Sequence, residues 1–222
     1  MKRNNCVLVI AGPSAVGKTV VAKQIVESDP RFTFLRSGTT RAKRGDAHDD
    51  EYLYYTEDEF LAAAERGEFA EYMRYGGNLY GTPNSELQRA LDNGKIPLMV
   101  LDMNGVKSLY RHKDYSACSV YLYTDINTVE QRLYERYLGT EPSVEGHKSF
   151  EGRKEQNIKD YLSVCECADC FFRFVENNTT VEECRDRVLK VFESFEQGAK
   201  FDAETARKIA SELAYSTGKI NE

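Results

Sequence analysis

The segment CVLVIAGPSAVGKT, residues 6–19, constrains this chain more than any other stretch. A short apolar run leads into Gly12, Pro13, Ser14, Ala15, Val16, Gly17, Lys18 and Thr19, which fill the pattern G-x-x-x-x-G-K-[ST] at every fixed position. That pattern works only between a strand and a helix. Its glycines let backbone N–H groups turn inward around phosphate oxygens, and the helix start adds a positive dipole end. Lys18 is then placed to reach β- and γ-phosphates, and the Thr19 hydroxyl to bind Mg²⁺. A strand that feeds such a loop is buried on both faces, which calls for a parallel sheet with helices on either side.

The rest of the chain reads the same way. Strands are predicted at residues 5–11, at FTFLR, at 96–102, at ACSVYLYT and at FFRFV. Helices are predicted at 17–28, at NSELQRALDNG, from Asn104, at DINTVEQRLYERYL with Asp125 as cap, at about 151–166 and at about 180–196. This alternation predicts an α/β P-loop NTPase fold with a core from residues 1–35 and 86–200. Residues 36–85 differ in character: polar, rich in Tyr, Arg and Gly, with short strands around one helix at about 56–66. They read as an inserted subdomain. Residues 139–150, GTEPSVEGHKSF, read as a mobile loop, giving a lid at about 137–153. The extension 201–222 holds an amphipathic helix, with Ala206, Ile209, Ala210 and Leu213 in register, expected to pack on its own domain.

Composition narrows the function classes. A length of 222 residues suits one domain with an insertion. A net charge of −6 argues against a general nucleic-acid binder. No stretch approaches the ~18 consecutive apolar residues of a membrane span. The opening residues run straight into the glycine loop, which reads as a strand rather than a signal peptide and predicts a cytoplasmic protein. Cys165, Cys167 and Cys170 lie in CECADC, whose spacing is not that of a zinc knuckle and has no nearby His, so the run reads as a reduced, partly buried helix face. His48, His112 and His147 lie in polar context and read as surface residues.

A phosphate loop does not say what receives the phosphate. In RSGTTRAKR, Ser37 precedes Arg41 and Arg44, two guanidiniums that can grip one phosphate. In EFAEYMRYGGNLYGTP, Glu71, Tyr80 and Thr82 flank a Gly-Gly turn. A carboxylate at Glu71 can accept both N1–H and the N2 amine of guanine, a pair adenine lacks. Taken singly, Arg41 and Arg44 also read as solvated charges and Tyr80 as core.

Together these segments resemble guanylate kinase, over roughly residues 5–195. The family pattern S-x-x-x-R-x-x-R appears as Ser37 to Arg44, its following tyrosine as Tyr52, its glutamate as Glu71, its G-N-x-Y-G-[ST] segment as Gly77 to Thr82, and its D-[ML]-Q-G segment as DMNG from Asp102 to Gly105. The resemblance implies that Ser37, Glu71, Thr82 and Asp102 contact guanine, and that Arg41, Arg44, Tyr52 and Tyr80 bind the GMP phosphate. It implies that Arg132 and Arg136, four apart on one helix face, close over the ATP phosphates, with Arg153 as a third from beyond the loop. The expected reaction is ATP and GMP giving ADP and GDP with Mg²⁺, held by Thr19 and, through water, by Asp102. In this reading Lys18, Mg²⁺, Arg132, Arg136 and Arg153 neutralise charge on the transferring group, while Arg41 and Arg44 hold the acceptor in line. Asn177 or Asn178 matches a family asparagine near adenine. One departure stands out: the family usually carries D-x-D before this glycine, and its first Asp falls here at Val100. The expected partners are the two nucleotides, with no nucleic acid or membrane, for a monomer or homodimer. Two other readings are a non-catalytic interaction module, which the intact loop disfavours, and a sister kinase for another phosphorylated acceptor, which Glu71 with Ser37 and Thr82 disfavours.

Overall fold

The apolar run before the glycine loop forms β1 (Cys6–Ala11), the central strand of a five-stranded parallel sheet. The computed structural model describes residues 6–43, 49–75, 77–111, 115–139 and 143–218. After the loop come α1 (Lys18–Ser28) and β2 (Phe32–Phe34). The chain then leaves this sheet and builds a second one from β3 (Ser37–Thr39), β4 (Tyr52–Tyr54), α2 (Glu57–Glu65), β5 (Phe69–Tyr75) and β6 (Asn78–Pro83). It returns through α3 (Asn84–Asp92), β7 (Ile96–Val100), α4 (Met103–Arg111), β8 (Ser116–Tyr123) and α5 (Ile126–Leu138). It closes with α6 (Val144–Ser163), a 3₁₀ turn at Val164–Cys170, β9 (Arg173–Glu176), α7 (Val181–Glu196) and α8 (Ala203–Ser216).

The main sheet runs β2-β7-β1-β8-β9 and the second β4-β3-β6-β5. Successive side chains of a strand point to opposite faces, and β1 shows it. Val7, Val9 and Ala11 enter the core shared with Tyr121, Phe171 and α8, whereas Leu8 and Ile10 enter the core shared with Ile25, Val188 and Phe192. The second sheet has its own small core, where Phe60 and Phe69 stack at 4.3 Å beside Leu79.

Glu86 joins the two bodies. It is buried on α3, yet accepts from the Arg36 guanidinium at 2.9 Å and from Arg89 at 2.8 Å. Burial alone would raise its carboxyl, but the two guanidiniums hold it down at about 2.

Three local expectations change. Most of the expected mobile loop is helix, because α6 begins at Val144 with the Ser143 hydroxyl accepting from the Gly146 N–H at 2.9 Å. That N-cap outweighs the glycines that read as loop, while Thr140, Glu141 and Pro142 lie outside the described residues. β7 stops at Val100, and Asp102 instead heads α4, accepting from the Gly105 N–H at 2.8 Å. CECADC forms the 3₁₀ turn, broken at Cys167, and its cysteines are free. α8 covers this turn: the Cys165 thiol donates to the Ala210 carbonyl at 3.2 Å, and Ala206, Ala210 and Leu213 are buried.

Candidate active site

The loop between β1 and α1 is held from outside as well as by its own glycines. A Cβ on Gly12 would stand 2.2 Å from the Leu122 carbonyl oxygen, so β8 approaches too closely for any side chain there. Ala15 has φ +64°, and among the described residues it alone takes a positive φ without being glycine. A left-handed alanine costs about 1–3 kcal/mol, and the surroundings maintain it. The buried Asn157 amide accepts from the Ser14 N–H at 2.7 Å and donates to the Ser14 carbonyl at 3.1 Å. The buried Asn177 amide donates to the Val16 carbonyl at 2.7 Å.

Lys18 folds back into the loop, donating to the carbonyls of Gly12 and Pro13, each at 2.8 Å. Burial lowers its ammonium to about 8, against the opposing charges of Asp160 and Asp102. Arg153 and Arg136 add to the lowering, which brings two of the three expected lid arginines within electrostatic reach of Lys18. Arg132 is half-buried and turns elsewhere, its guanidinium 3.5 Å from the Asn177 carbonyl. Thr19 is half-buried in the first turn of α1.

The second sheet builds the facing wall. Glu71 and Thr82 are directly opposite on β5 and β6, and the Thr82 hydroxyl donates to Glu71 Oε1 at 2.7 Å. Glu71 is 5% exposed, and burial raises its carboxyl to about 7, with the Asp102 charge adding to the rise. A Cβ on Gly105 would stand 3.1 Å from Glu71 Oε2 and 3.4 Å from Asp102 Oδ1, so α4 brings its glycine against both carboxylates. Asp102 is itself raised by burial, with the Gly105 N–H and Lys18 pulling the other way.

Arg41 lies 4.9 Å above the Tyr52 ring, and Tyr52 and Tyr80 meet edge to face at 6.3 Å. Its Nη2 donates to Asp49 at 3.4 Å and to the Tyr54 hydroxyl at 3.3 Å. Among the described residues its Nη1 is buried without a hydrogen-bond partner. Ser37 opens β3, half-buried and in register with Tyr52. Arg44 lies outside the described residues, as do His48 and His112.

Val100, where the resembled family carries its first Asp, is half-buried against the core beside β1, paired in register with Ile10. Of the two asparagines, Asn177 is buried against the loop and Asn178 is exposed. Sequence reading missed Asn157 and Asp160, both on α6. No motif marks them, and only the i, i+4 and i+7 spacing from Arg153 aligns them with a residue already singled out.

The family model described as guanylate kinase matches residues 4–194. A guanylate kinase of Oleidesulfovibrio alaskensis is 36% identical over 142 residues, covering 63% of this chain and 68% of the relative. One of Helicobacter pylori is 30% identical over 185 residues, covering 83% and 84%. The crystal structure of guanylate kinase from Anaplasma phagocytophilum aligns with TM-score 0.62 at 23% identity, over 100% of this chain and 99% of that one, a likeness of fold.

Proposed function

The chain belongs to the guanylate kinase family, and from that we propose how its cleft moves the γ-phosphoryl group of ATP onto GMP. The observation that carries the acceptor assignment is the buried Glu71–Thr82 pair beside Asp102. A buried carboxylate governed by desolvation rather than by an ion pair favours a ligand with N–H donors. Guanine brings two, at N1 and N2. Ser37, Thr82 and Asp102 complete the base contacts in this reading.

The GMP phosphate takes the site of Arg41, Arg44, Tyr52 and Tyr80. The unpartnered Nη1 of Arg41 supports this, since a phosphate oxygen would satisfy it. The phosphate's second pKa is about 6, so it is largely dianionic at neutral pH and needs no general base. One of its oxygens forms the new bond to the γ-phosphorus as the bond from that phosphorus to the ADP oxygen breaks.

The work of this chain is positioning and charge neutralisation. The loop seats the ATP phosphates. Lys18 swings from its own carbonyls to the phosphates, and Arg136 and Arg153 add positive charge from α5 and α6. Arg132 follows when the lid closes. The Thr19 hydroxyl and Asp102 carboxylate are hard oxygen donors that fit a largely hydrated Mg²⁺, which when bound neutralises phosphate charge. Closing the two bodies on each other excludes water from the transfer. Among the described residues no helix is long and apolar enough to cross a membrane. We read the enzyme as cytoplasmic, a monomer or homodimer whose partners are ATP and GMP.

A coupled assay of ADP formation across GMP, dGMP, AMP, UMP and ribose phosphates tests the reading. Turnover with GMP should far exceed that with AMP or UMP. Glu71→Ala should raise the KM for GMP about 100-fold, as expected when a hydrogen-bonded base edge loses its acceptor, with the KM for ATP unchanged. Bound GMP without turnover would mean an interaction module, and a preference for a ribose phosphate would mean a sister kinase.

A further inference from the structure

Two buried amides grip the phosphate loop on either side of Ala15. Asn157 comes from α6 and holds the Ser14 peptide in both directions. Asn177 comes from the end of β9 and holds the Val16 carbonyl. Between them lies the alanine at φ +64°. A strained backbone persists where its surroundings over-determine it, and here bonds from two separate elements do so. A primary amide is the side chain that both donates to and accepts from one peptide. An aspartate there could only accept, and an aliphatic residue could do neither. Asn157 is also four residues beyond Arg153, so the loop clamp and a lid arginine share one helix face.

We propose that Asn157 is a positioning residue of the ATP site, which keeps Ala15 left-handed through the Ser14 peptide and ties the shape of the loop to the helix that carries Arg153. The inference rests on the loop being the nucleotide site, and not on GMP being the acceptor. In its action Asn157 touches no reacting atom. It sets the loop so that phosphate meets a formed cradle, and it makes α6 move with that cradle.

The test uses the full-length chain and reads ADP affinity by calorimetry beside the KM for ATP, the KM for GMP and thermal stability. Asn157→Ala should weaken ADP binding and raise the KM for ATP about tenfold, the loss expected for about one net hydrogen bond at a buried peptide, with the KM for GMP unchanged. Asn157→Asp keeps the volume and the acceptor but loses the donor, and should shift the same constants in the same direction. Tyr161→Phe is the control: Tyr161 is buried on the same helix and donates to the Thr124 carbonyl at 2.8 Å. It should lower stability without changing ADP affinity. In an Ala15→Gly background, where a positive φ carries no steric penalty, the Asn157→Ala loss should shrink to about threefold. Wild-type ADP affinity in both Asn157 variants would overturn the proposal. So would an equal loss in Tyr161→Phe, or an undiminished loss in the Ala15→Gly background. Because ADP binding is read without GMP, a wild-type protein that binds ADP but fails to use GMP would refute the functional reading while still deciding this one.

Discussion

Glu71 must be ionised to accept two N–H donors, yet burial raises its carboxyl to about 7. The KM for GMP should therefore fall as pH rises from 6 to 8, while the KM for ATP does not follow the same curve. Stability runs the other way. A carboxyl raised above its unfolded value of 4.5 contributes stability that is present below that value and lost as pH rises through 7. Glu71→Gln should thus raise the stability of the nucleotide-free protein by about 1–3 kcal/mol at pH 8 and by far less at pH 5, as two denaturation series would show. Lys18 gives a second pH signature. Its ammonium is lowered to about 8, and a bound phosphate chain favours the charged form. ADP affinity should fall as pH rises above 8, and binding at pH 9 should take up a proton, measurable by calorimetry in buffers of different ionisation enthalpy. Equal heats in all buffers at pH 9 would show that Lys18 is already charged in the free protein.

Among the elements, α3 bears most directly on how the two bodies are joined. Its Glu86 accepts from Arg36 at the entrance to the second sheet, and its carboxyl sits near 2 rather than 4.5. That stabilisation is present above about 4.5 and is lost as pH falls toward 2. Glu86→Gln should cost about 1–2 kcal/mol at pH 7, discounted because both arginines are half exposed, and the cost should shrink by pH 3 in urea titrations. What sequence reading recovered at this scale was written locally. The unbroken apolar run of β1 and the Asp125 cap of α5, whose carboxylate accepts from the Thr128 N–H at 2.9 Å, each need only neighbouring residues. What it missed was non-local or concealed. Asn157 meets Ser14 across 143 residues of chain, and an isolated asparagine on a polar helix gives no sign of that partner. The first turns of α6 hide behind Gly146, which lowers helix propensity without preventing a helix that is capped and packed. Nothing in the sequence marks Glu86, because Arg36 comes beside it only in the fold.

At the scale of the whole molecule, the chain carries a net charge of −6, yet Arg136 and Arg153 lie within electrostatic reach of Lys18 at the phosphate loop. The second sheet has its own small core around Phe60, but Ala70 of β5 is buried in the core of the main sheet, so the two bodies are packed together there. α8 belongs to the larger of these cores. Ala210 is fully buried there, in the core shared with Val7, Val9 and Phe171. Ala210→Leu should overpack this contact and cost about 1–3 kcal/mol by chemical denaturation, with the KM for GMP unchanged. The position of β1 has a further consequence, in time rather than in space. The first strand of the chain pairs with β7 on one side and β8 on the other, both far later in sequence. Such pairings form slowly, because long loops must close before any contact rewards them. During synthesis the loop sequence emerges well before its walls, which arrive only with Leu122 and, later still, with Asn157 and Asn177. A nascent chain that stops at the second sheet therefore carries the whole glycine-loop motif without the strand and the two amides that fix its shape.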